Sequence, residues 1–95
     1  MVGKLDNAIL KQAIRDIASK HIDIREDAKI FFYEEESFND ICKRKRIKPQ
    51  EIRNGVAILL SYPLMSRKKM ADKISRMLDI YGMTYIHFLF GIYLV

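Results

Sequence analysis

The sequence predicts an all-α fold, a single helical domain over residues 1–95 made of about five helices. Three observations carry this. Four Gly and two Pro in the whole chain leave few places where a helix must stop. Apolar residues recur three or four positions apart along most of the chain, the period of a helix with one buried face. Hydrophobic residues make up 49% of the chain, ordinary for a folded domain and too high for a disordered one.

The first amphipathic segment runs from about Leu5 to Ile22. It sets Leu5, Ile9, Ala13, Ile14 and Ile17 against Lys4, Lys11, Gln12, Arg15, Asp16 and Lys20. Asp23 then has the form of an N-cap, with Glu26 three residues on, for a helix over Ile24–Glu35 that buries Ile24, Ala28, Phe31 and Phe32. The acids Glu34, Glu35 and Glu36 oppose a helix C-terminus and end it. Ser37 is the predicted cap of a short helix from Phe38 to Arg46. Pro49, with Gln50 and Glu51 behind it, opens the next helix, which runs to about Ser61 and carries Ile52, Val56, Leu59 and Leu60. Gly55 in its middle implies close backbone approach. Tyr62-Pro63 ends that helix. Ser66 caps the last one, with the stripe Met70, Ile74, Met77, Leu78 and Tyr81.

Composition narrows the function classes. A chain of 95 residues has no room for two domains around a large cleft. Cys42, the only cysteine, excludes an internal disulfide and any zinc site built on cysteine pairs. With no signal-like apolar run near Met1, the expected location is cytoplasmic. All four glycines are isolated, so there is no Gly-rich phosphate loop, and neither His21 nor His87 has a partner at metal or catalytic spacing. The expectation is a protein that is not an enzyme and uses no cofactor or metal. Seventeen Lys and Arg against twelve Asp and Glu give +5, which points toward a polyanionic partner.

The stretch Phe38–Val56 holds two short helices across a tight turn. Ile41, Ile47 and Ile52 fall where buried side chains lock such a pair, and small Cys42 sits where the helices cross closely. On Phe38, Ile41, Cys42, Ile47, Pro49, Ile52 and Arg53 the segment resembles the helix-turn-helix of bacterial and phage DNA-binding proteins. It departs from that pattern in the turn, where Arg46 stands at a place that often holds Gly. The resemblance implies a helix-turn-helix over about residues 37–61 bound to double-stranded DNA in a small transcriptional regulator. Lys48, Gln50, Arg53 and Asn54 would face the major groove, and Lys43, Arg44, Lys45, Arg46 and Lys48, crowding the turn, would lie along phosphates. A second basic cluster, Arg67, Lys68, Lys69 and Lys73 with Arg76, opens the last helix against the preference of its macrodipole and adds a further expected phosphate contact.

From Ile80 to Val95 no residue carries a formal charge, His87 counted neutral. As a helix these residues would span about 24 Å, short of the roughly 30 Å of a bilayer core, so a membrane anchor is the third choice. The first is a self-association segment over about 66–95 forming a homodimer through Met77, Tyr81, Tyr85, Phe88, Phe90 and Ile92, with strand pairing over Thr84–Phe90 as a variant. The second is a non-enzymatic module, a small regulator or inhibitor, gripping a protein partner through the same apolar end.

Overall fold

The computed structural model describes residues 2–82. Five helices follow one another in order: α1 (Val2–Asp16), α2 (Ile22–Glu34), α3 (Glu36–Lys45), α4 (Pro49–Ser61) and α5 (Leu64–Tyr81), with no strand among the described residues. All five predicted helices exist. Their boundaries shift for identifiable reasons. α1 ends at Asp16, but Ile17 and Ala18 stay buried in the connection that follows, so the apolar period outruns the helix. α2 starts two residues early, after His21, and Asp23 lies inside the first turn rather than capping it. Ser37 likewise sits inside α3, which begins after Glu35, and its hydroxyl donates to the Glu35 carboxylate at 3.1 Å. Ser66 is the third residue of α5, whose N-cap is Pro63. Only α4 keeps both predicted ends, because proline fixes each of them.

One core joins all the helices: Leu10, Ile14 and Ile17, then Phe32, Phe38 and Ile41, then Ile52, Val56 and Leu59, then Ile74 and Leu78. α1 packs on both α2 and α5, while α4 packs on α3 and α5. The buried face of α1 is rotated from its most apolar stripe. Leu5 is 65% exposed, and Asp6 is buried in its place. Ile24 is exposed as well, which leaves Ala28 and Phe32 as the fully buried face of α2. Phe31, Phe32 and Phe38 pack edge to face with ring centroids 5.3–5.5 Å apart, fixing α2 against α3 across the single residue Glu35.

Two buried-end problems recur. The last carbonyls of a helix lack partners, and neither α2 nor α4 ends in a glycine that would turn the chain back onto them. Arginines from elsewhere in the chain donate to these carbonyls instead. The Arg67 guanidinium donates to the carbonyls of Leu59, Leu60 and Tyr62 at the end of α4 and to Ile17 beyond α1, at 3.0–3.1 Å. Burial, with Arg25 nearby, lowers the Arg67 pKa from its ordinary value, and Arg25 itself donates to the Ser19 carbonyl at 2.9 Å. Cation and helix C-terminus are matched in sign.

Candidate nucleic-acid interface

The α3–α4 corner is built by backbone geometry first. Ile47 N–H reaches back to the Cys42 carbonyl at 2.9 Å, the closure of a helix whose next residue is left-handed. That residue is Arg46, at φ 58° and ψ 40°. It occupies a backbone region that glycine adopts without steric penalty, and the chain turns tightly there despite the side chain. Lys48 is extended, as the residue before a proline must be, and Pro49 starts α4 at once. Ile41, Ile47 and Ile52 are all buried, at 2%, 9% and 0% exposure, and lock the two helices together. Cys42 lies fully buried beneath them; burial pushes its thiol up to about 11, so it is no nucleophile at neutral pH.

α4 then offers an outer face. Gln50, Asn54, Ala57 and Ser61 are exposed and follow one another at spacings of four, three and four, one line along the helix. None is charged, and none is larger than glutamine. The Gln50 amide donates to the Asn54 side-chain oxygen at 2.8 Å. Glu51 is half-buried and lies about 100° round the helix from Gln50, off that line. Lys43 in the last turn of α3, and Arg46 and Lys48 in the turn that leads into α4, are exposed.

Several predicted contact residues are placed otherwise. Arg53 is the main correction, because it turns away from the outer face and into the domain. Its Nε donates to the Phe32 carbonyl at 2.8 Å, its Nη2 to the Asn39 side chain at 3.0 Å, and its guanidinium lies 5.1 Å from the centre of the Phe38 ring. Its acceptor is a carbonyl in the last turn of α2, where helix-end carbonyls lack intrahelical partners. Arg67 is likewise committed to backbone carbonyls, as described above. Arg44 is exposed but forks onto buried Asp6, through Nε and Nη2 at 2.8 and 2.9 Å, and ties α3 to α1. Lys68, Lys69 and Lys73 are exposed on α5, while Lys45 is half-buried. Of the predicted dimer residues, Met77 packs half-buried against the protein's own core and Tyr81 is exposed; Tyr85, Phe88, Phe90 and Ile92 lie outside the described residues.

Sequence reasoning missed the internal roles of Arg53 and Arg67. The only hint was indirect, in that α2 and α4 lack a terminal glycine and so need a donor from some distant residue. Arg15 and Arg76, which line one cavity together with Asp72, were also missed as a pair, being 61 positions apart. Among the described residues no cluster of His, Cys, Asp and Glu has the form of a metal site, and no helix is long and apolar enough to cross a membrane. Comparison with protein-family models, with curated proteins and with solved structures finds no match to this chain.

Proposed function

We propose that the chain binds double-stranded DNA through its α3–α4 corner, with the outer face of α4 against the duplex and the turn along a phosphate strand. The observation that carries this reading is the uncharged line Gln50–Asn54–Ala57–Ser61 beside the exposed cations Lys43, Arg46 and Lys48. A face of small polar residues can approach base edges closely, and cations at its rim match phosphates. Arg46 adds weight. A non-glycine residue in the left-handed region costs stability, about 1–2 kcal/mol, and the exposed side chain of Arg46 makes no hydrogen bond among the described residues to offset it. With Arg53 turned inward, base contact falls to Gln50 and Asn54, whose amides suit adenine. Such readout is narrower than a helix with a groove-facing arginine would have.

Duplex titration at several salt concentrations tests the reading. The expected log–log slope is about −0.9 per phosphate contacted, and Arg46→Ala or Lys48→Ala should each reduce it by about one contact. Gln50→Ala should weaken a preferred site more than random duplex. The reading fails if the parent chain does not bind duplex at low salt, or if an Arg46→Ala, Lys48→Ala double variant binds as the parent does.

A further inference from the structure

α1 and α5 run antiparallel. Arg67, early in α5, reaches the Ile17 carbonyl just past the end of α1, whereas Asp79, late in α5, pairs with Lys11 in mid-α1. This pairing brings Arg15 of α1 beside Arg76 and Asp72 of α5, and the three line an open polar cavity of about 330 Å³. Both arginines are exposed and Asp72 is half-buried. Asp72 shares the cavity with two cations, yet it lies within ion-pair distance of neither, and neither guanidinium has an ion pair or hydrogen bond among the described residues. Four other arginines are engaged: Arg44 with Asp6, Arg53 and Arg67 with helix ends, Arg25 with a loop carbonyl. Two guanidinium forks and a single carboxylate thus line one cavity, a local excess of positive charge that an oxyanion complements.

The set of groups is selective. Two guanidinium forks supply paired N–H donors that match the oxygens of a tetrahedral oxyanion. A carboxylate in the same cavity repels an anion unless that anion brings a proton to donate. A phosphodiester and a sulfate carry no such proton, whereas inorganic phosphate carries at least one at neutral pH. We propose that Arg15, Asp72 and Arg76 form a site for a protonated phosphate: the arginines hold the unprotonated oxygens, and the P–OH donates to Asp72. The ligand is inorganic phosphate or a phosphate monoester, the latter favoured below about pH 6, where its second proton is retained. The site is separate from the α3–α4 corner and does not rest on DNA binding.

The full chain labelled with 15N permits a direct test, with the arginine Nε–Hε signals as the readout and inorganic phosphate, phosphoserine and sulfate as probes at equal ionic strength. Saturable shifts of Arg15 and Arg76 with phosphate, and much smaller ones with sulfate, are expected. Arg15→Gln and Arg76→Gln should each weaken phosphate about tenfold or more, the worth of a charge-assisted bond. Asp72→Asn should remove most of the preference over sulfate while leaving the backbone spectrum intact, since all three groups lie at the surface. Equal response to sulfate, or an unchanged preference in Asp72→Asn, overturns the proposal. So does displacement of phosphate by duplex, which would make this cavity a diester contact. Phosphoserine binding more tightly at pH 5.5 than at pH 7.5 identifies a monoester as the ligand; binding confined to inorganic phosphate identifies the free ion. Either result supports the site.

Discussion

Three single residues hold a conformation or a burial that their chemistry resists. Arg46 stands in the left-handed region where glycine has no steric penalty. Arg46→Gly should therefore stabilise the fold by up to about 1 kcal/mol, part of the relief being returned as glycine's extra chain entropy. A duplex-binding assay beside a denaturant melt separates the two effects: stability should rise as affinity falls. Ser75 is fully buried in α5, and its hydroxyl has no hydrogen-bond partner among the described residues. Ser75→Ala removes an unsatisfied polar group without loss of bulk and should stabilise by about 1 kcal/mol in the same melt. Arg67 has the opposite character. Arg67→Ala strands four carbonyls and should cost about 2–4 kcal/mol, and Arg67→Lys should restore only part of this, since one ammonium cannot span the ends of two helices. Arg53→Ala belongs with it: its loss should appear as lower stability, with duplex preference per folded molecule unchanged.

Among the elements, α3 is the shortest helix, and it is held from both flanks. Aromatic packing fixes its start against α2, and the Arg44–Asp6 fork fixes its end against α1. The hydrogen bonds from Arg44 hold the Asp6 carboxyl below its usual range, outweighing the opposing effect of burial. A carboxylate with a depressed folded pKa stabilises the fold fully above the ordinary aspartate range. That contribution is lost as pH falls through this range toward the depressed value. Urea midpoints measured from neutral to strongly acidic pH should show this loss, and Asp6→Asn should flatten the acidic limb while lowering the neutral plateau. The sequence announced the two-rod corner of α3 and α4 through Ile41, Ile47, Pro49 and Ile52, since each acts within a few residues of itself. It did not announce the fork, because Asp6 and Arg44 meet only after α1 has packed.

For the whole molecule, every Asp, Glu, Lys and Arg lies within the described residues, so the +5 excess is carried entirely by the five helices and the connections between them. Part of the positive charge is turned inward through Arg53 and Arg67, and part is balanced locally through Arg44 and Lys11. The cationic surface that remains is accordingly smaller than the basic composition suggests. A salt slope near two or three phosphate contacts is expected, with about six contacts as the value that would contradict this distribution of charge.

Helix number, the ends of α4 and the burial of Cys42 were settled by the order of amino acids alone. Each depends on forces that act over one or two helical turns: apolar period, proline, and hydrogen bonds between near neighbours. Tertiary packing alone decided which arginines face solvent. A guanidinium on a six-atom arm has several acceptors within reach, and the one it takes depends on which helix end is carried to it from a distant part of the chain. Arg53 and Arg67 went to such ends, while Arg15 and Arg76 were brought together around a cavity that neither helix forms by itself.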